Sequence, residues 1–199
     1  MTNNNTAATR THGTLKNLIL TAFFSAMCLV LPMAFHAVPR GGLIFCPMHI
    51  PVLLCAFACG WSYALATAAI GPTISFLATS MPDAATLPSM IIELAVYALT
   101  IGFLMKVVRT GNAYADMYIA LVTAMILGRV VGGIVKALFF VKGYTIAAWA
   151  TAYFATGLPG IILHLALVPN VIFALTKMHL LPERYPKEVA TDVESDKNN

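Results

Sequence analysis

Three charged side chains stand where a run of hydrocarbon should not hold them: Glu93, Arg129 and Lys136, with Lys106 near a segment end. They interrupt an apolar stretch that reaches from Leu15 to Lys177. A charge inside a bilayer is expensive, so it marks a binding or transfer site and calls for a partner. A carboxylate there can pair with a cation or titrate, while arginine and lysine hold anions. Arg129 and Lys136 are seven residues apart, about 10 Å along one helical face at ~1.5 Å per residue. His49, flanked by Pro47 and Pro51, and His164, beside Pro159-Gly160, add imidazoles to the same inventory. Tyr97, Trp149, Tyr153 and Asn170 are candidate cavity-lining groups, because aromatic rings suit planar ligands.

Each has a plainer reading. Glu93 and Arg129 can be an interhelical ion pair, and Lys136 can snorkel to the surface. His49 can simply start a helix, and His164 can be a hydrogen-bonded structural histidine. Cys55 and Cys59, one helical turn apart, suggest a metal pair, but buried thiols acting as small hydrophobes are the ordinary case. No metal site or cofactor is expected.

The elements that must position these residues are membrane helices. The chain of 199 residues is 59% hydrophobic and 10% charged, against about 25% charged in soluble domains. Such a chain cannot solvate a globular surface. Six apolar segments are expected: Lys16–Ala37, Leu43–Cys59, Ser62–Ser80, Ser89–Val108, Met117–Val141 and Ala147–Met178. Gly60-Trp61 separates the second from the third, and fusing those two would leave five spans. The sixth carries Gly157, Pro159, Gly160 and Pro169, so a kinked or unwound stretch is expected there. The expected architecture is an all-α integral membrane protein, a six-transmembrane-helix bundle with both termini cytoplasmic. Residues 1–14 would be a flexible N-terminus, 15–178 the membrane domain and 179–199 a flexible charged tail.

Orientation follows from the basic residues. With the termini inside, the inner regions hold Arg10, Lys16, Lys106, Arg109, Lys177, Arg184, Lys187 and Lys197, and the outer loops only Arg40 and Lys142. That asymmetry obeys the positive-inside rule, which also accounts for the net charge of +4 without nucleic acid. His49 then starts the second span near the outer face, and Glu93 lies about one turn below the outer end of the fourth. His36 falls at the outer rim. Arg129, Lys136 and His49 can converge with Glu93 on an outward-opening pocket, Glu93 pairing with one cation. The remaining positive charge would draw a ligand bearing a carboxylate, phosphate or ring carbonyls.

Three function classes compete. The phosphate-loop pattern G-x-x-x-x-G-K-[ST], H-E-x-x-H and G-x-S-x-G are all absent, and the spans offer one carboxylate with no second, so an enzyme is not expected. A small ion-coupled secondary transporter acting as an oligomer is the alternative, with Glu93 as the coupling group. A binding subunit energised by partners is the third. Small residues at four-residue spacing, Ala22/Ala26, Ala64/Ala68 and Gly128/Gly132, allow helices to approach closely, either within the bundle or against a partner.

The run Leu31-Pro32-Met33-Ala34-Phe35-His36, the block from Phe45 through Met48-His49-Ile50-Pro51 to Cys55, Gly60-Trp61, and Ile126 to Gly133 resemble one branch of the substrate-binding S components of energy-coupling factor (ECF) transporters. The resemblance covers roughly residues 15–178. It implies a multi-pass protein of a bacterial cell membrane that binds a small-molecule vitamin-like substrate in a pocket near the outer face. It further implies docking through Ala22 and Ala26 onto a coupling transmembrane subunit driven by two cytoplasmic ATPases, with toppling of the S component in the bilayer. No nucleic-acid partner is implied, and the cargo does not follow from the scaffold.

Overall fold

A computed structural model describes residues 4–35, 41–140, 145–178 and 180–182. His36, Arg40, Lys142 and the tail charges Arg184, Lys187 and Lys197 lie outside the described residues. Among those residues all regular structure is helical: α1 (Asn4–Ala34), α2 (Gly41–Phe45), α3 (His49–Cys59), α4 (Trp61–Thr79), α5 (Leu87–Val107), α6 (Ala113–Val135), α7 (Ile146–Ala150) and α8 (Leu158–Lys177). Turns of π-helix continue α6 over Lys136–Phe140 and α7 over Thr151–Thr156.

Each apolar segment carries helix, but the second and sixth are broken. The second divides at Cys46-Pro47-Met48, where Cys46 adopts φ 47° and Pro47 withholds an amide. The sixth divides at Gly157, just ahead of Pro159. α1 begins at Asn4, ahead of the apolar run, with no proline between Asn4 and Leu31 and with Gly13 taken up inside the helix.

Among the described residues four stretches are long and apolar enough to cross a membrane: Gly13–Ala34, Leu87–Val107, Ala113–Leu138 and Leu158–Lys177. α4 has 19 residues, enough length by count, but its serines and threonines lower its hydropathy. α3 has only 11 residues, about 16 Å at ~1.5 Å per residue, too short to span a hydrocarbon core of about 30 Å.

That short helix is the centre of the bundle. Every residue from His49 to Ala56 is buried, so α3 is covered all round, as an apolar helix without a polar face must be. It packs against α1, α4, α5 and α8. Gly60 ends it with φ 95°, a conformation glycine enters without a Cβ penalty, and the chain turns directly into α4. The second and third segments are therefore separate helices joined by one residue.

α5 and α6 run antiparallel in close contact. Gly128 and Gly132 make this possible: a Cβ at Gly128 would strike the Tyr97 ring, and one at Gly132 would lie 2.9 Å from the Glu93 Cβ. Ala64 and Ala68 are likewise fully buried. Both pairs serve packing inside the bundle. Ala22 and Ala26, in contrast, are exposed, on a face of α1 that also presents Ile19, Phe23 and Val30.

Candidate functional site

The head of α3 meets the charged residues of α5 and α6. His49 is buried because the Cys46-Pro47-Met48 turn starts the helix inside the bundle rather than at its surface; the His49 amide donates back to the Cys46 carbonyl at 3.0 Å. Its Nε2 lies 3.4 Å from Oε1 of Glu93, and the Tyr97 hydroxyl donates to the same oxygen at 2.5 Å. Tyr97 follows Glu93 by one turn of α5, which aligns the two side chains on one helix face. The carboxylate is thus held by an imidazole and a phenol.

This corrects the expectation that Glu93 pairs with Arg129 or Lys136. Among the described residues the basic side chain in contact with Glu93 is that of His49. Arg129 turns instead towards the sixth segment, where its Nη1 donates to the Tyr153 carbonyl in the π turn. Gly157 permits that approach, since a Cβ there would sit 2.9 Å from both the Arg129 guanidinium and the Tyr153 oxygen. The Cys46 thiol lies beside the guanidinium and close to Glu93. Trp149 covers the same region: its ring rests on Gly133, and its Nε1 donates to the Arg129 carbonyl at 3.2 Å. His164 completes the group, stacked on His49 with ring centroids 5.9 Å apart and planes 20° from parallel.

Seven buried side-chain polar atoms have no hydrogen-bond partner among the described residues, and five of them belong to this group: His49 Nδ1, Arg129 Nε and Nη2, and both ring nitrogens of His164. Orphaned buried donors and acceptors each cost about 1–3 kcal/mol and call for a ligand, a water or an ion. Their concentration at one point separates this site from ordinary packing.

The structure therefore brings together His49, Glu93, Tyr97, Arg129, Trp149, Tyr153 and His164. Lys136 stands apart, half-buried, with Nζ donating to Thr86 Oγ1 at 3.2 Å, about two helical turns towards the start of α5. Asn170 is exposed on α8 and donates to the Ala166 carbonyl of its own helix. Two residues are added that the inventory of charges and aromatics passed over: Cys46, whose neighbouring proline was the available signal, and Gly157, visible only as a helix break. The cysteine pair 55/59 lies in the bundle interior, and Cys55 accepts from Thr67 Oγ1 at 3.3 Å. No cluster of metal-ligating side chains occurs among the described residues.

A pocket of about 360 Å³ lies at the other end of α3, between the start of α1 and the end of α8, lined by Leu15, Ile19, Phe24, Ala58, Leu175 and Leu181. Its walls are hydrocarbon apart from Lys16, whose ammonium is bonded to the Leu180 carbonyl. The buried polar atoms without partners gather mainly at the His49 end.

A family model described as "ECF transporter, substrate-specific component" matches residues 16–172, which includes every member of the polar group. No curated protein and no solved structure matches the chain. The family and the apolar helices agree: a substrate-specific component set in a bilayer. The chain belongs to the substrate-specific components of ECF transporters, a membrane-embedded substrate-binding subunit and not an enzyme.

Proposed function

We infer that this S component binds a vitamin or vitamin-like micronutrient at the group formed by His49, Glu93, Tyr97, Arg129, Trp149, Tyr153 and His164. The observation that carries this reading is the set of five orphaned polar atoms buried together between α3, α6 and α8. A bundle that buries such atoms together gains by enclosing a solute whose polar groups satisfy them. Partnership with ECF transmembrane and ATPase subunits follows from the family.

In this reading six segments cross a bacterial cell membrane with both termini cytoplasmic, the second as the broken pair α2 and α3 together and not as α3 alone, and the distribution of lysine and arginine supports that orientation. The polar group then opens towards the outer face. Ala22 and Ala26 form the face that docks onto the coupling subunit, which two ATPases drive. Support for that docking face comes from its exposure, in contrast with the other small-residue pairs.

The test is native mass spectrometry of detergent-purified protein, a thermal-shift screen against vitamins and their precursors, and uptake assays with and without an energising module. A co-purified or strongly stabilising vitamin, taken up only when the module is present, is the expected result. Solute movement by the purified chain alone, down an ion gradient, would overturn it.

A further inference from the structure

The Arg129 guanidinium is only partly used. Nη1 donates to the Tyr153 carbonyl, but Nε and Nη2 have no partner, although the residue is 2% exposed. These two nitrogens share one edge of the guanidinium, where their N–H bonds run parallel. That edge matches the two oxygens of a carboxylate and binds it through two hydrogen bonds at once. An arginine that merely needed neutralising would sit on Glu93, the nearest acid. Glu93 is instead occupied by His49 and Tyr97, and forms no ion pair with Arg129.

We propose that the Nε–Nη2 edge of Arg129 is the seat of a single carboxylate on the transported solute, and that the cargo is a monocarboxylic acid. This rests on the reading of the polar group as the substrate site. Charge decides between a carboxylate and a phosphate. Lys136, which would have supplied a second cation, is bonded to Thr86 away from the group, which leaves the Arg129 guanidinium beside the carboxylate of Glu93. With Glu93 already present, a carboxylate adds one negative charge to the group and a phosphate dianion adds two. In a medium that tolerates excess charge badly, the smaller addition is favoured.

His49 adds a second requirement. Its Nε2 lies 3.4 Å from Oε1 of Glu93, while Nδ1 is buried without a partner. The cargo must therefore offer a second polar group opposite Nδ1 as well as its carboxylate. The His164 ring, stacked on His49, brings two further ring nitrogens to the same buried group. The ligand so defined is a small, flat monocarboxylic acid with a second hydrogen-bonding group.

The decisive experiment uses the wild-type protein and matched pairs of compounds in a thermal-shift assay: nicotinate with nicotinamide, biotin with biotin amide, and pantothenate with pantothenol. Pyridoxal phosphate and riboflavin 5′-phosphate serve as phosphate probes. At least one acid should raise the melting temperature while its uncharged partner does not. R129K, which keeps the charge but loses the two-point edge, should weaken that acid about tenfold or more, and R129Q should abolish the shift. Equal stabilisation by acid and uncharged partner, stabilisation by a phosphate alone, no shift with any acid, or undiminished binding of the acid to R129Q would each overturn the proposal. A neutral or phosphorylated vitamin that binds and is taken up with the energising module removes the carboxylate assignment and leaves the substrate-binding reading in place. The paired comparison on wild-type protein holds even if the Arg129 variants do not fold.

Discussion

Gly128 and Gly132 on α6 carry the same four-residue spacing of small side chains as Ala22 and Ala26 on α1, yet the two faces have opposite surroundings. The glycine face is filled by α5: the Tyr97 ring lies on Gly128, and the Glu93 side chain on Gly132. The alanine face is left exposed by the described residues. Identical spacing thus serves the positioning of the site in one place and leaves a close-approach surface vacant in the other. What separates them is the neighbour, not the motif, and a neighbour is a property of the fold.

Enlarging the small residues is the direct way to break that contrast. Gly132→Leu should have the largest effect, about 3 kcal/mol or more, because a branched side chain must displace Glu93 from a packed interface; loss of monodisperse protein on size exclusion would show it. Ala68→Leu, on the filled face of α4, should cost about 2 kcal/mol by overpacking alone, read as a lower melting temperature with ligand affinity retained. The double change Ala22→Trp and Ala26→Trp should move stability by less than about 0.5 kcal/mol, as exposed positions do. Uptake with the energising module should nevertheless fall to background while binding persists. If the double variant melts as early as Gly132→Leu, the two faces are alike and the docking assignment fails.

A finer change sharpens the comparison within the glycine face. Gly157→Ala adds one methyl group 2.9 Å from the Arg129 guanidinium and the Tyr153 carbonyl. It should lower affinity for the bound solute more than it lowers stability, since it perturbs the proposed binding group. Isothermal titration beside thermal melting separates the two quantities.

How much of this was legible in the sequence varies by residue. Composition alone required membrane helices. The positions of Glu93 and Arg129 inside apolar runs marked both as functional candidates, and the two converge on the same site. Gly60 and the Gly157-Leu158-Pro159-Gly160 run announced breaks that the structure contains. The pairing was not legible. Whether Glu93 meets His49 or Arg129 depends on how far α5 and α6 rotate about their axes, and mixed apolar faces leave that rotation undefined. Lys136 and Asn170 share the polar character of the site but fall on other faces or depths for the same reason. The π turns were hidden as well, because a π turn needs one extra residue per turn and no particular side chain. Cys46 drew little notice because a thiol in an apolar block reads as a small hydrophobe.

The shortness of α3 has a consequence of its own. His49 heads the helix, and Val52, Leu53, Leu54, Cys55 and Ala56 beneath it are all buried in the hydrophobic core. Below the polar group lies packed hydrocarbon, not a passage. With the polar group as the proposed substrate site, the described residues make it a cul-de-sac: a solute held there meets the buried body of α3 beneath it and leaves the way it came. For such a body, delivery to the opposite side of a membrane is a matter of turning the whole vessel, as a ladle is emptied, and not of opening a second door.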